Sequence, residues 1–396
     1  MEFMTAKIDF FPVDNGDMAL LTLDSGRNIL IDVNIRKSAD DEKQEEVIDV
    51  ASLLKDKLQR DSEGRLYVDA FLLTHPDQDH CRGLEEHFHL GKPEDWKNDN
   101  REKIIIREMW SSPVIFRRKK DVSENGLCDD ANAWWKEARR RVNLFKATTD
   151  KSSIKDGDRI QVLGEDRNGK TDELTEILVK TDDEITKICG AVDGTFRAWL
   201  IAPLVVDEEE AKCLTGKNNS STIIRFSIKS ESNEKAGLLL VGGDAEVENW
   251  ERVWQRNSLK RERLQYNIML SPHHCSWHSL SYDSWSKKKR EAVVDPDARL
   301  ALAQATKNAF IIASSKEILD DDNDPPCIRA KEEYESILKD VDGTFLCTAK
   351  ECTDDVLTLE ITSEGPQLSP KKKKGSLLGE DKTLRQTEKV GGRRYA

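Results

Sequence analysis

The chain has 396 residues with a net charge of −13, enough for one elaborated domain of roughly 300 residues or for two domains. Its 21 Gly, 11 Pro and eight scattered Cys exclude collagen-like, fibrous and disulfide-stapled classes. Its longest uncharged apolar run, residues 198–206, is too short for a membrane span, which needs about 20 residues. Residues 1–11 do not resemble a signal peptide, so we expect a cytoplasmic protein with free thiols and no membrane contact.

The first part of the chain predicts short strands followed by a strand buried on both faces. Three short apolar runs, residues 8–13, 18–23 and 28–33, are separated by turn residues typical of hairpins. A helical pattern follows at residues 45–58. The continuous apolar run at residues 68–74 then predicts a strand covered on both sides.

The middle of the chain contains a charged segment and then further strands. Residues 91–156 are rich in charged side chains and Trp, with a helical pattern at residues 131–146, and we interpret them as an insertion or lid. Many strands with few helices between them predict an α/β (α+β) protein, a β-rich sandwich flanked by helices. The remaining predicted elements are a helix at 247–263 and strands at 159–163, 198–202, 222–228, 237–241, 266–271, 309–313, 343–347 and 356–361.

The character of the sequence changes after residue 365. Residues 366–396 have nine basic and three acidic side chains, a net charge of +6, and almost no apolar periodicity. This composition predicts a disordered basic tail that could contact a polyanion or a protein partner. We therefore expect one domain at residues 1–365 and a tail at 366–396, while the oligomeric state stays open.

Seven histidines fall into two groups, four within residues 75–89 and three within residues 273–278. His75, Asp77, Asp79 and His80 directly follow the buried strand 68–74. Imidazole and carboxylate groups held at the end of a rigid strand are suitable ligands for one or two divalent cations. We predict a metal site here, and we expect His87 and His89, outside this spacing, to be ordinary polar positions.

Two later strands also end in candidate ligands. Asp244 follows an apolar run and a Gly-Gly pair, and His273 and His274 follow the predicted strand 266–271. Asp244 alone could equally be the N-cap of the next helix. Combined with the downstream histidine pair, a metal ligand is the better interpretation. We favour His274 as the ligand and place His273 behind it or against the substrate.

These blocks together resemble the metallo-β-lactamase superfamily, and within it the soluble-domain type of the competence DNA-uptake protein ComEC. The similar blocks are the Thr-His-x-Asp-x-Asp-His-x-x-Gly motif at 74–83, the Gly-Asp strand at 15–21, the Asn-Asn-x-Ser segment at 218–221, the strand ending in Asp244 and the His-His-x-Ser segment at 273–276. They cover residues 6–315 in scattered pieces. The resemblance implies an αββα sandwich of the metallo-β-lactamase type with a helical insertion.

The resemblance also implies two divalent metal ions. By position, His75 and Asp77 would face the first metal and Asp79 and His80 the second, with Asp244 bridging them. Asp77 stands where the superfamily motif has a second His. Because a carboxylate is a harder ligand than an imidazole, this change lets Mn²⁺ or Mg²⁺ compete better with Zn²⁺.

The expected chemistry is hydrolysis without a covalent nucleophile. Two bridged cations activate a water and clamp the oxygens of a displacement, and Asp79 and Asp244 would hold the metals and orient the attacking group. His278 could donate a proton to the leaving group, or could simply be exposed. Cys275 could be a soft extra ligand, although a buried structural thiol is the better interpretation.

The substrate is less constrained by the sequence. The resemblance implies a nuclease-type phosphodiesterase. Basic clusters at residues 117–120, 139–141 and 287–290 could track a nucleic acid locally, although each cluster taken singly is more often a solvated face. The nearby Trp side chains could stack on bases, although the more cautious interpretation is that most of them anchor the insertion to the core: Trp110, Trp134, Trp135, Trp277 and Trp285. A hydrolase of another ester, amide or lactone is the first alternative. A metal-stabilised interaction module, or an accessory defence protein without hydrolytic activity, is the second.

Overall fold

The computed structural model describes residues 5–40, 47–97, 102–113, 115, 127–166, 169–204 and 218–370. Within these ranges the chain forms two stacked mixed β-sheets and a separate small hairpin, Lys187–Ile188 with Ala191–Val192. The predicted basic cluster at residues 117–120 lies outside the described residues, as do residues 371–396 of the predicted tail 366–396.

The larger sheet has eleven strands and is antiparallel on one side and parallel on the other. Its parallel half places Leu66–Leu73, which is buried along its whole length, between Asn28–Ile31 and Ile104–Ser111. The strands in spatial order are Leu178–Val179, Arg159–Leu163, Ile104–Ser111, Leu66–Leu73, Asn28–Ile31, Ala19–Thr22, Lys7–Phe10, Leu357–Thr362 and Gly365–Leu368, with Gln59–Arg60 and Phe88–His89 paired to Leu66–Leu73 and Ile104–Ser111 respectively.

The second sheet has seven strands. Asn233–Val241 is its turning point, antiparallel to the strand before it and parallel to Tyr266–Leu270 after it. In spatial order the strands are Glu184–Ile185, Phe196–Ala202, Ile223–Ser230, Asn233–Val241, Tyr266–Leu270, Ala305–Ala313 and Thr344–Cys347.

Three apolar clusters define four layers. One cluster lies between the sheets and joins Leu72 of the larger sheet to Leu239 of the second. The outer face of the larger sheet is covered by helices that include Trp134, and the outer face of the second by helices that include Trp250. The predicted αββα sandwich is therefore confirmed. The α-helices of the described residues are Val50–Lys57, Gln78–Cys81, Leu84–His87, Asp129–Ala147, Val247–Asn257, Trp285–Lys288, Pro296–Leu302, Ile328–Lys339 and Thr348–Glu351.

Two predicted boundaries need correction. The segment 91–156, interpreted as an insertion or lid, contributes Ile104–Ser111 to the interior of the larger sheet and the helix Asp129–Ala147 to its outer layer. The final strand Gly365–Leu368 pairs with Leu357–Thr362, so the folded part continues past the predicted boundary at residue 365. Within the described residues, no helix combines the length and the apolar character that crossing a membrane requires.

Candidate metal centre

Three strand ends from both sheets meet at one edge of the sandwich. The segment Thr74–His80 follows Leu66–Leu73 in the larger sheet, while Asp244 and the His273–His274 pair follow two neighbouring parallel strands of the second. The carboxyl ends of parallel strands are the usual location of sites in α/β proteins. The close approach of the two sheets requires Gly243, which has a φ of +49° and whose added Cβ would lie 2.7 Å from Thr74 Oγ1.

Asp244 lies at the centre of the site with its two oxygens facing different histidines. Its Oδ1 lies 2.8 Å from His80 Nε2 and 3.3 Å from His274 Nε2. Its Oδ2 lies 3.5 Å from His75 Nε2 and 3.7 Å from His273 Nε2. One buried carboxylate thus stands between two pairs of imidazoles, which is the arrangement of a bridging ligand.

The most compact group contains four of the residues predicted as ligands. One ligand atom from each of Asp79, His80, Asp244 and His274 lies within 4.8 Å of the others. His274 Nε2 is 3.5 Å from Asp79 Oδ2, which joins the first motif to the last. The structure therefore brings His274 into this group, whereas His273 lies on the Oδ2 side of Asp244 with His75.

The hydrogen bonding of these atoms fits bound cations. His75 Nε2, His80 Nε2, His274 Nε2 and Asp244 Oδ1 are buried and make no hydrogen bond of good geometry within the described residues. Burying such atoms unsatisfied is costly, and structures rarely do so without an ion or water. Two ligands of one tetrahedral ion at about 2.1 Å lie about 3.4 Å apart, close to the separations observed here. The donor set of imidazoles and carboxylates suits Zn²⁺ and Mn²⁺.

Asp77, the remaining predicted ligand of the first motif, lies at the margin of this arrangement. Its Oδ2 is 3.9 Å from His75 Nε2. Asp77 is the residue that immediately precedes the short helix Gln78–Cys81. His75 and Asp77 thus flank the Oδ2 side of Asp244, where the sequence resemblance implies the first metal.

A buried carboxylate behind the site, Asp32, orients His80. Asp32 Oδ2 accepts hydrogen bonds from Thr74 Oγ1 at 2.6 Å and from His80 Nδ1 at 2.7 Å, while Oδ1 accepts from Thr74 N at 2.7 Å. Such a partner fixes the proton on Nδ1 and turns the Nε2 lone pair toward the metal position. Asp32 was not among the predicted site residues, although it also ends a buried apolar strand, the same signal that pointed to Asp244.

Asp17 is a second buried carboxylate behind the site. Its Oδ1 lies 3.3 Å from His274 Nδ1, and its backbone N–H donates to Asp79 O at 3.2 Å. Both Asp17 oxygens are buried without a hydrogen bond of good geometry within the described residues. Asp17, Asp32 and His80 also form a second cluster, in which one ligand atom of each residue lies within 4.8 Å of the others. Because Asp32 already accepts three hydrogen bonds, we interpret this cluster as support for the imidazoles.

The electrostatics of the centre couple its charged groups. Burial opposes the charged form of His80, but Asp244 and Asp32 outweigh it and raise the pKa of His80 well above its usual value. Against the same burial, Asp244, Asp17 and Asp79 raise the pKa of His274 to about 10. Burial opposes the charge of Asp244 as well, yet the surrounding histidines lower its pKa well below the usual range. Divalent cations would replace the protons that hold this cluster together.

The turn that carries the histidine pair is strained. His273, His274 and Cys275 have φ values of 51°, 53° and 67°, a left-handed conformation that non-glycine residues rarely adopt. Such residues cost of order 1–3 kcal/mol each and are concentrated at functional sites. The turn is fixed by hydrogen bonds from His273 N to Gly243 O at 2.9 Å and from Ser276 N to His273 O at 2.9 Å.

Two other predicted candidates lie beside the centre. His278 is 44% exposed in its side chain and its Nε2 lies 3.8 Å from Asp324 Oδ2. Cys275 is fully buried, its Sγ is 4.0 Å from Cys327 O, and burial raises the pKa of its thiol, as expected of a structural cysteine. His87 and His89 lie in the helix Leu84–His87 and in the short strand Phe88–His89 that follows it.

Five side chains of the predicted basic clusters within the described residues are paired with acidic side chains. Arg140 and Arg141 both contact Glu137, and Arg141 is buried. In the second cluster, Lys288 pairs with Asp283, Lys289 with Asp322 and Arg290 with Glu332. Because these basic side chains are paired, little of their positive charge is left to attract a polyanion.

The Trp residues predicted to stack on bases lie mostly in the core. Trp110, Trp134 and Trp277 are fully buried and Trp285 nearly so. These four side chains therefore pack in the core, in agreement with the more cautious of the two interpretations, and are not exposed for stacking on bases.

Comparisons with known proteins detect low overall similarity to solved structures. No family model and no curated protein sequence matches the chain. Among solved structures, the chain is similar to Igni18, a metallo hydrolase from the hyperthermophilic archaeon Ignicoccus hospitalis, at 10% identity and a TM-score of 0.34 over 89% of this chain and 99% of that one. It is also similar to an isothiocyanate hydrolase from Delia radicum gut bacteria, at 12% identity and a TM-score of 0.36 over 89% and 98%.

Proposed function

We propose that this protein is a metal-dependent hydrolase of the metallo-β-lactamase superfamily, of the ComEC-like type. The observation that carries the proposal is the position of Asp244, whose two oxygens face two separate pairs of histidines. The order of the ligands along the chain and their location at strand ends of a four-layer sandwich support it.

The residues of the chain have distinct roles in this proposal. Two divalent cations held by such a set would lower the pKa of a bound water to about neutrality and would polarise the bond that is cleaved. Asp79, His80, Asp244 and His274 would hold one cation, and His75, Asp77 and Asp244 the other. His273 lies on the Oδ2 side of Asp244, where it can contact either a cation or the substrate. His278, exposed and beside Asp324, is the candidate proton donor to the leaving group.

We further propose that the substrate is a phosphodiester. Three carboxylates among the predicted ligands make the centre rich in oxygen, which favours Mn²⁺ and lets it compete with Zn²⁺, and hard cations bind phosphate oxygens well. Because most side chains of the described basic clusters are already paired, recognition would depend mainly on the cations themselves and on the segments outside the described residues. This favours a short or single-stranded nucleic acid over extended tracking of a duplex.

The pairing of the basic side chains with acidic ones also favours an alternative class of substrate. A neutral ester, amide or lactone needs no surplus of positive charge, so a small carbonyl substrate is the second candidate function. The two substrate classes make opposite demands on the surface around an otherwise identical centre.

A substrate panel tests both proposals. The purified protein is chelated and reloaded with Mn²⁺, Zn²⁺ or Mg²⁺. It is then assayed on bis(p-nitrophenyl) phosphate, single-stranded DNA, p-nitrophenyl acetate and a simple lactone, with Asp79→Ala as the matched inactive control. Cleavage of the phosphodiesters alone supports the first proposal, and cleavage of the ester or lactone alone supports the second. A reloaded protein that cleaves none of them contradicts the hydrolase assignment.

A further inference from the structure

Two cysteines lie in contact immediately behind the metal-binding segment. Cys81 ends the short helix Gln78–Cys81 and follows the candidate ligand His80, and Cys128 precedes the helix Asp129–Ala147. Their sulfur atoms are 3.7 Å apart although 47 positions separate them in the chain. The hydrolytic chemistry proposed above uses neither thiol.

The two thiols differ in exposure and in chemistry. Cys81 is fully buried, whereas Cys128 is partly exposed. A hydrogen bond from Cys81 lowers the pKa of Cys128 to about 7 against the effect of burial, with a further contribution from the backbone N–H of Ala131 at the start of the helix. Cys128 is thus the accessible thiol that attacks an oxidant, and Cys81 is placed to resolve the product.

Cys81 is also mechanically connected to the metal-binding segment. Its Sγ contacts the backbone oxygen of Asp77 at 3.1 Å, one helical turn earlier. The helix that follows Cys128 is anchored to the same region, because Asp130 accepts hydrogen bonds from Gly83 N at 3.0 Å and Glu85 N at 2.8 Å. A change in the distance between the two sulfur atoms therefore acts on the short segment from Asp77 to Glu85, which contacts Cys81 Sγ at its start and Asp130 at its end.

We propose that Cys81 and Cys128 are a site of reversible oxidation by peroxides, and that their disulfide bond weakens metal binding at the adjacent centre. The Cys128 thiolate attacks one peroxide oxygen, the O–O bond breaks, and a sulfenic acid forms with release of one water after protonation. Cys81 Sγ then attacks the Cys128 sulfur, the S–O bond breaks, and the second water leaves with the Cys81 proton. The two thiols lose two electrons in total, and the peroxide is reduced to two waters.

The geometry explains the effect on the metal. A disulfide has an S–S bond of about 2.05 Å, so the sulfurs must approach each other by about 1.7 Å. The backbone of Cys81 is continuous with His80, whose Nε2 lies only 2.8 Å from Asp244. Displacing the groups that orient a ligand typically costs 10–100-fold in metal affinity. We expect Mn²⁺ binding to weaken by about tenfold or more on oxidation and to recover with a thiol reductant.

Peptide mapping and a metal titration test the proposal on the full chain. The protein is treated with stoichiometric hydrogen peroxide, unreacted thiols are alkylated, and the peptides are identified by mass. Mn²⁺ affinity is measured before oxidation, after it, and after reduction. Cys128→Ser is the test variant and Cys189→Ser the control, because Cys189 is also partly buried but its Sγ contacts Asp69 O instead of a thiol.

The expected result is a Cys81–Cys128 cross-linked peptide in the wild type and in Cys189→Ser, absent from Cys128→Ser, together with reversible loss of Mn²⁺ affinity in the first two only. Oxidation that leaves both thiols free, or that drives Cys128 directly to sulfinic acid, overturns the proposed site. A mapped disulfide with unchanged Mn²⁺ affinity overturns the coupling. If the reduced protein binds no Mn²⁺ at all, the metal centre and the coupling both fail, while the mapping still decides the oxidation site.

Discussion

Replacing Asp32 by Asn is a sharp perturbation of the centre, because it preserves shape and removes one acceptor. In the wild type, Asp32 accepts hydrogen bonds from Thr74 N, Thr74 Oγ1 and His80 Nδ1. The Asn oxygen can retain the bond from Thr74 N, and the Thr74 hydroxyl can rotate to accept from the new amide. His80 Nδ1–H has no such option, so the imidazole proton moves to Nε2, where it blocks a cation.

The size of the effect follows from that one lost bond. A hydrogen bond to a charged group contributes about 1.5–3 kcal/mol, and a tenfold change in affinity corresponds to about 1.4 kcal/mol. We therefore expect Asp32→Asn to weaken metal binding by about 10–100-fold, the range found when orienting partners of metal ligands are removed. Thermal stability of the metal-free protein also falls, because the protonated His80 loses one of its two carboxylate partners.

A competition titration with a chromophoric chelator measures this affinity directly. Asp69→Asn is the matched control, since Asp69 is a buried carboxylate on the strand leading to Thr74 but binds Asn28 N and Arg107. The control is expected to lose stability and to keep wild-type metal affinity. A folded Asp32→Asn protein with unchanged metal affinity would show that Asp32 does not orient His80 for metal binding, as would an equal loss of affinity in both variants.

Three further predictions address the centre and the chain end. Asp79→Ala and Asp244→Ala each reduce hydrolysis by at least about a hundredfold, because each removes a direct ligand; near-wild-type turnover by either variant with its metal retained would contradict the ligand set. In the metal-free protein the raised pKa of His274, about 10, contributes stability that is fully present below about pH 6.5 and is lost as the pH rises through 10. Thermal melts after chelation should show this decline, and the metal-loaded protein, whose imidazole is already neutral, should not; equal profiles would be inconsistent with the coupling. Truncation after Pro370 keeps the strand Gly365–Leu368 intact and is expected to leave folding and the turnover of small substrates unchanged. It is expected to weaken the salt-dependent binding of single-stranded DNA. Identical binding isotherms for the truncated and the full chain would eliminate the tail as a contact.

The sequence predicted well those elements whose signal is local. Leu66–Leu73 and Tyr266–Leu270 are largely apolar runs, and His75 and His273 follow them within three residues, so both the strand and the candidate ligand after it could be predicted. The strand Ile104–Ser111 was missed because Arg107 and Glu108 interrupt its apolar pattern. In the fold, these two charges are satisfied by Asp69 and by Trp110, Gln161 and Cys189, partners that no local pattern reveals.

The candidate site also divides into residues that local motifs predict and residues that they do not. The ligands in consecutive motifs were predicted, whereas Asp17 and Asp32 were not, because their partners His274 and His80 are distant in sequence. The positive charge of the basic clusters was overestimated for a related reason, because some of their acidic partners are also distant in sequence. Lys289 stands in a run of positive charge along the chain, but in the fold it meets Asp322 from another loop.

The metal content of the purified protein shows whether Asp244 and the surrounding histidines bind divalent ions. Wild type and Asp244→Ala are chelated, dialysed against Mn²⁺ or Zn²⁺ and analysed by elemental mass spectrometry at equal protein concentration. Because Asp244 faces both pairs of histidines, we expect about two divalent ions per wild-type chain and a loss from both positions in the variant. A wild-type chain that retains no metal, or a folded Asp244→Ala chain that retains as much as the wild type, would contradict it.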